Sequence, residues 1–413
     1  MSTGAGMVII GAGKCGARAA LALSENGYQG PVTLVGDEPH HPYERPPLSK
    51  DVLAPGDAPP PKWVSTPEIF AEKDIACITG KSAASIDRAA RTVLFSDGMS
   101  LPYAKLLLAT GAVPRRLPLA EPAGERIAYL RTFADALRIR DHLAPGRRVA
   151  IIGGGFIGLE LAASARKRGC KVTIIEAQPR ILMRGVPQEI AEIVAARHLA
   201  EGAELICGIG LMAIAAGQDG VRVELDDGRA IDADLAVIGI GATPVTQLAE
   251  SAGLTLDNGI AVDEFLGTSD PDIFAAGDCC SFPLAIYGGR RVRLESWRNA
   301  QDQGALAAKN MLGAAEAIST VPWFWSDQHD LTLQIAGLAE GATQHIRREL
   351  GDGAFILFHL APDGRLLAAS GIGPGNAVAK DIRLAEMLIA RRATPDVGDL
   401  ASPDFRLKKL LAA

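Results

Sequence analysis

The sequence is poor in aromatic residues, has no excess of positive charge and holds no long apolar run. Phe, Trp and Tyr make up 5% of its 413 residues against 48% hydrophobic residues in all, so the core must be largely aliphatic. Lys and Arg number 42 and Asp and Glu 48, for a net charge of -6. A general nucleic-acid binder usually needs a dominating basic field, so that class is set aside. No stretch of about 18 apolar residues occurs, and no basic segment precedes the first apolar one. A cytoplasmic protein that does not cross a membrane is expected. Cys15, Cys77, Cys170, Cys207, Cys279 and Cys280 are scattered without C-x-x-C or zinc-type spacing, which argues against both a metal site and a disulfide framework.

What is present is an internal repeat. The apolar strand Val8, Ile9, Ile10 runs into Gly11-Ala12-Gly13-Lys14-Cys15-Gly16 and then into strong helix formers, and a second strand at Val32 to Val35 ends in Gly36-Asp37. The same order returns from Val149: a strand to Ile152, the turn Gly153-Gly154-Gly155-Phe156-Ile157-Gly158, a helix through Arg168, and a strand from Lys171 to Ile175 ending at Glu176. Strands at Leu106 to Leu108 and Leu235 to Ile240 each end in a glycine turn, at Gly111 and Gly241, and Pro114 to Pro122 reads as a linker. From Pro322 the texture changes to strands, a hairpin around Asp363-Gly364, and a helix from Ala377 to Arg392. The fold class expected is α/β, with two Rossmann-like dinucleotide-binding domains of the glutathione-reductase-like kind and a C-terminal α+β domain. The expected boundaries are 1–117 and 244–321 for the first domain, 118–243 for the second, inserted within it, and 322–413 for the third.

Each repeat carries the chemistry of a dinucleotide site. A pyrophosphate needs backbone N–H groups and a positive helix end at close range, and a turn without Cβ atoms admits it. Gly11, Gly13 and Gly16 supply this in the first repeat, and Gly153, Gly155 and Gly158 in the second. An acid closing the next strand can take the hydroxyls of an adenosine ribose, a role that falls to Asp37 and Glu176. The Glu176 carboxylate would repel the 2'-phosphate of NADP, which favours NADH, although Arg180 and Arg184 lie close enough in sequence to receive a phosphate.

Longer strings extend the pattern. Pro42-Tyr43-Glu44-Arg45-Pro46-Pro47-Leu48-Ser49-Lys50, Thr268-Ser269-Asp270-Pro271 running to Gly277-Asp278, Glu295-Ser296-Trp297-Arg298-Asn299-Ala300 and Pro322-Trp323-Phe324-Trp325-Ser326-Asp327-Gln328 all stand in this chain. With the two repeats they make the sequence resemble, over essentially its whole length, the NADH-dependent ferredoxin reductases of oxygenase systems. The resemblance implies that the first repeat and the Gly277-Asp278 region bind FAD and that the inserted repeat binds NADH. It assigns Asp37 to the FAD ribose, Lys50 to the neighbourhood of the flavin with Glu160 as its partner, Arg131 to FAD, Asp278 to the ribityl chain and Trp297 to the ring. Cys15, Ala83, Ile157 and Gly241 complete the expected cofactor-binding set, and Lys50 and Glu160 are the expected catalytic pair. A cation near the ring favours its reduced, negatively charged state, and a buried ammonium needs an acid beside it. Disulfide reductases of related architecture need a reactive cysteine near the flavin, yet Asp37 to Lys50 contains none, and Asp404 to Ala413 lacks the histidine that would protonate a leaving thiolate.

The implied partner is a [2Fe-2S] ferredoxin serving a cytochrome P450 or a Rieske oxygenase, with docking expected near Arg290, Arg291, Arg293, Arg298 and Trp325. A monomer or weak homodimer is expected. Two alternatives use the same cofactors: an NADH-dependent reductase of monodehydroascorbate or a quinone, and a redox-sensing flavoprotein of the apoptosis-inducing-factor type. Cys15 stands where a smaller residue is usual and, like Cys279 and Cys280, is read as a reduced packing residue.

Overall fold

The computed structural model describes residues 5–217 and 219–412. Its contacts divide the chain into two units: Met1–Glu44, Pro61–Val113 and Thr243–Pro322 form the first, and Arg45–Pro60, Pro114–Ala242 and Trp323–Ala413 the second.

The first unit is built on a 7-stranded sheet with the order Ile75–Ile78, Val32–Val35, Gly6–Ile10, Ser100–Leu108, Thr92–Phe95, Ala83–Asp87, and with Ile273–Ala275 also pairing Ser100–Leu108. The pairs of Gly6–Ile10 with both its neighbours are parallel, and every residue of that strand is buried. A strand covered on both faces reads as an unbroken apolar run, which is why Val8 to Ile10 was visible in the sequence. Ser100–Leu108 is longer than the apolar run alone suggests, because its first residues turn to pair antiparallel with Thr92–Phe95. The helix Lys14–Glu25 buries Ala17, Ala19, Ala20 and Ala22. Small side chains there let the helix Trp297–Met311 approach so closely that a Cβ on Gly304 would lie 2.4 Å from the Cys15 carbonyl oxygen.

The second unit holds a 5-stranded parallel sheet, in the order Glu204–Cys207, Lys171–Glu176, Arg148–Ile152, Leu235–Ile238, Ile127–Ala128. Leu235–Ile238 stops two residues earlier than its apolar run, since the backbone bends at Ile240 and takes a φ of +110° at Gly241. Within the segment read as a linker begins the 3-10 helix Pro118–Arg126, opened by the fixed φ of Pro118 and kinked at Gly124. The segment Arg45–Pro60, which the sequence reading leaves in the first domain, groups with this unit for a visible reason. Buried Arg140 donates to the carbonyls of Val52 and Ala54, at 2.5 and 2.7 Å, and Arg168 donates to Ala54 as well. The C-terminal part is a 5-stranded antiparallel sheet, Trp323–Gln328, Leu331–Gly337, Leu366–Pro374, Ala354–Leu360, Gln344–Gly351, with the helix Ala379–Ala390 against it.

That sheet buries a titratable pair. His359, 2% exposed, has Nδ1 2.9 Å from His345 Nδ1 and Nε2 3.0 Å from Ser370 Oγ. Burial, and then the neighbouring imidazole, lower its pKa to about 4. The unfolded chain, with histidine near 6.5, therefore binds a proton that the folded chain refuses between those values. Stability is full above pH 6.5 and falls as the pH drops toward 4, by about 2 to 3 kcal/mol from this residue. Thermal unfolding from pH 7.5 to 4.5 should show that slope, and His359→Gln should flatten it.

Candidate functional site

In the first unit the glycine turn is shaped by its surroundings. Gly11 has a φ of +112°, and a Cβ there would lie 2.1 Å from the Ala109 carbonyl oxygen, while one on Gly16 would lie 2.0 Å from the Gly11 carbonyl oxygen. Neither position admits any other residue without moving backbone. Gly13 is different, because nothing lies within 4 Å of a Cβ built on it. The helix Lys14–Glu25 begins at this open face with no side chain capping its first N–H groups and no acid in its first turn. Those free donors and the helix dipole fit the pyrophosphate of a dinucleotide.

The second unit repeats the arrangement. Gly153 has a φ of +107° with a Cβ position 2.4 Å from the Gly239 oxygen, a Cβ on Gly158 would lie 2.3 Å from the Gly153 oxygen, and Gly155 opens the uncapped helix Phe156–Lys167. Ile157, in the first turn of that helix, is 47% exposed, an apolar surface beside the open N-terminus. Gly241 faces open space on the loop that follows Leu235–Ile238.

The acids at the strand ends differ by one residue in register. Gly11 N–H bonds the Val35 carbonyl and Gly153 N–H the Ile175 carbonyl, so Glu176 corresponds to Gly36 and not to Asp37. The reason is the residue each must pass. A Cβ on Gly36 would lie 2.6 Å from the Ala12 Cβ, whereas Gly154, in the place of Ala12, leaves room for the Glu176 side chain. Glu176 Oε2 accepts from the Gly154 N–H at 2.7 Å and Oε1 from the Gln178 N–H at 2.8 Å, which fixes the carboxylate at the turn with lone pairs to spare. Asp37 is exposed just past the strand end, and Ala83 begins a strand two residues beyond Lys81, whose N–H bonds the Gly36 carbonyl. Arg180 does not reach outward: it donates to the carbonyls of Ile181, Leu182 and Val186, each at 3.0 Å, and so ties its own loop.

Gly277, with a φ of +82°, stands against Cys15, placing Asp278 beside the first turn. Burial raises the Cys15 and Cys280 thiols well above their ordinary pKa, and raises Cys279 too. These are packed thiols, as the sequence suggested. Trp297 opens the helix Trp297–Met311, and its indole N–H donates to Glu44 Oε2. Lys14 Nζ bonds Glu44 Oε1 at 2.9 Å and lies 4.3 Å from the Trp297 ring centroid. Sequence reasoning missed that Lys14 and Glu44 hold Trp297.

In the second unit Lys50 meets two acids. Its Nζ is 3.5 Å from Glu160 Oε1 and 2.7 Å from Asp327 Oδ2, and 5.6 Å from the Trp325 ring centroid. Glu160 is 6% exposed, and its other oxygen accepts from Ser49 Oγ at 2.5 Å. Burial raises the Glu160 pKa, and Lys50, Ser326 and Ser49 pull it back down. The Arg131 carbonyl accepts from the Arg45 guanidinium, and its N–H donates to Asp135. Of the proposed docking arginines, all in the first unit, Arg291 pairs with Asp257, Arg293 with Glu295 and Arg298 with Asp302. Arg290 lies 5.8 Å from the Tyr287 ring centroid. Much of the positive charge in that cluster is locally compensated. Among the described residues no group of three or more His, Cys, Asp or Glu could hold a metal ion, and no helix is long and apolar enough to cross a membrane.

Comparison with known proteins gives the family. Residues 6–304 match the family described as pyridine nucleotide-disulphide oxidoreductase, and residues 323–411 the family described as reductase C-terminal. The chain is 42% identical over 406 residues, covering 98% of each chain, to the anthranilate 1,2-dioxygenase system ferredoxin–NAD(+) reductase component of Burkholderia cepacia. It is 35% identical to putidaredoxin reductase of Pseudomonas putida over 420 residues, 100% of this chain and 98% of that one. The crystal structure of a covalent putidaredoxin reductase–putidaredoxin complex matches with a TM-score of 0.93 at 35% identity, covering 100% of this chain and 99% of that chain.

Proposed function

The chain belongs to the pyridine nucleotide-disulphide oxidoreductase family and carries its reductase C-terminal domain, and from that premise we propose that it is an FAD-dependent ferredoxin–NAD(+) reductase. In this reading it takes a hydride from NADH and passes electrons singly to a [2Fe-2S] ferredoxin that serves a cytochrome P450 or Rieske oxygenase. The observation that carries it is the duplicated open turn at Gly13 and Gly155, which fits two dinucleotides in one chain. Supporting it, the segment from Asp37 to Lys50 has no cysteine for thiol chemistry and instead ends in an ammonium held by two carboxylates.

When bound, FAD supplies the conversion from one two-electron donor to two one-electron transfers, and everything else is positioning. Gly11, Gly13 and Gly16 would seat the FAD pyrophosphate, Asp37 its ribose, and Gly277 and Asp278 the ribityl chain, with Ala83, Arg131 and Trp297 as further FAD contacts. Gly153, Gly155, Ile157 and Gly158 would seat NADH beside Gly241, with Glu176 on its adenosine ribose. Lys50 would present its charge toward the flavin, held by Glu160. Domains 1–117 with 244–321, 118–243 and 322–413 would carry FAD, NADH and the C-terminal fold respectively. We place the protein in the cytoplasm, and its ferredoxin near Arg290, Arg291, Arg293, Arg298 and Trp325.

The nucleotide preference offers a direct experiment. Glu176→Ala removes the acceptor for the ribose hydroxyls and the charge that opposes a 2'-phosphate. The KM for NADH should rise about tenfold with kcat little changed, and the NADH over NADPH preference should narrow, in steady-state reduction of the ferredoxin. An unchanged preference would remove Glu176 from the site.

A further inference from the structure

Along Trp323–Gln328 the side chains alternate, and Phe324, Ser326 and Gln328 share one face. The helix Phe156–Lys167 presents Phe156, Glu160 and Ser164 in one stripe, four residues apart. The Phe156 and Phe324 rings meet at 4.3 Å, and Ser326 Oγ donates to Glu160 Oε1 at 2.6 Å. The contacts do not stop there. Gln328 Nε2 donates to Ser326 Oγ at 2.8 Å, Gln328 Oε1 lies 3.0 Å from His198 Nε2, and His198 Nδ1 lies 3.3 Å from His329 Nε2. Ser326, Gln328 and His198 are each 0% exposed.

The polarity of this string follows from one end. An ionised carboxylate only accepts, so the Ser326 proton is committed to Glu160, and Ser326 must accept from the Gln328 amide. Gln328 then turns its carbonyl to His198, whose Nε2 must carry the proton, leaving Nδ1 to accept from His329. Every donor points toward Glu160. We propose that His198 is a positioning residue for the Lys50–Glu160 pair: through Gln328 and Ser326 it anchors a donor string that holds Glu160 as a carboxylate aimed at the Lys50 ammonium. Aligned hydrogen bonds reinforce one another in a buried setting, and a link left unmade is costly there. Burial lowers the His198 pKa, and burial with His198 lowers that of His329 to about 4, so both rings are neutral near pH 7, as the polarity requires. The charged groups acting on these rings are Glu201, Arg197 and Lys167, and those acting on Glu160 are Lys50 and Asp327.

The inference rests on the pair's proposed role in the reaction, but the labelling arm of its test does not. In the purified FAD-loaded protein at pH 8, amine-labelling of Lys50 is compared with that of exposed Lys380 by mass spectrometry. His198→Met breaks the string, and the less stabilised ammonium should label faster by about threefold or more. His198→Gln keeps an N–H donor at similar reach and should restore the wild-type rate. The acid limb of NADH-dependent flavin reduction should move to higher pH in His198→Met and return in His198→Gln. Gln328→Met breaks the string at another link and should match His198→Met, which guards against a variant that fails to fold. Wild-type labelling in both Met variants, or equal acceleration in His198→Met and His198→Gln, would overturn the proposal. If labelling responds as expected while Lys50→Met leaves flavin reduction intact, the string stands and the pair's role in the reaction fails.

Discussion

Gly16→Ala should give a folded but colourless protein, and Gly158→Ala a yellow one that NADH does not bleach. The two substitutions are the same change at corresponding places. Each puts a Cβ on a backbone carbonyl of its own turn, 2.0 Å from the Gly11 oxygen in one case and 2.3 Å from the Gly153 oxygen in the other. Real Cβ atoms do not approach so closely, so the turn must open and the N–H groups at the helix start lose their convergence on a pyrophosphate. Losing that geometry should weaken the respective dinucleotide at least about a hundredfold, or about 2.7 kcal/mol. Flavin content after gel filtration reads the first, and the NADH dependence of bleaching in a rapid-mixing experiment reads the second. Circular dichroism of both variants separates a lost site from a lost fold. A yellow Gly16→Ala protein would reverse the assignment of cofactors to turns.

Lys50→Met should retain its flavin and slow reduction by NADH by roughly tenfold to a hundredfold, with the apparent Kd for NADH little changed. A fixed positive charge is most useful where negative charge develops during the reaction, and it costs nothing to reorganise. Glu160→Gln should act in the same direction, because the carboxylate orients that ammonium from 3.5 Å away. Asp327, at 2.7 Å, keeps part of the interaction, so the effect should be smaller than that of Lys50→Met. In the double variant the losses should fall well short of additive, as for any two groups that work as one. The reduction rate should also fall with decreasing pH above the ordinary carboxylate range, since burial raises the Glu160 pKa and its protonation would release Lys50. Anaerobic stopped-flow measurements across pH would check all four statements.

How much of this was visible in the sequence depended on distance along the chain. The glycine turns were, because strand, turn and helix are contiguous and the positions that exclude a Cβ must be glycine. The offset between Asp37 and Glu176 was not, since it is set by the register against Gly11 and Gly153 and by which partner of each pair, Ala12 with Gly36 or Gly154 with Glu176, is the small one. Lys50 with Glu160 was expected only through family resemblance. Asp327 lies 277 residues from Lys50, and nothing local to either residue announces their contact. The seating of Arg45–Pro60 was equally hidden, resting on Arg140 and Arg168, which stand far from that segment along the chain. The basic cluster at Arg290 to Arg298 was easy to see, but its carboxylate partners at Asp257 and Asp302 change its electrostatic meaning.

In the proposed reaction one chain takes electrons in pairs from NADH and delivers them singly to an iron–sulfur protein. Its most direct test is an anaerobic titration of the purified protein with NADH, followed by an oxidised [2Fe-2S] ferredoxin. An equivalent of NADH should bleach the flavin band, and the ferredoxin should restore it while becoming reduced at about two per flavin. A protein that NADH does not bleach, or one that bleaches and then reduces quinones but no [2Fe-2S] ferredoxin, would contradict it.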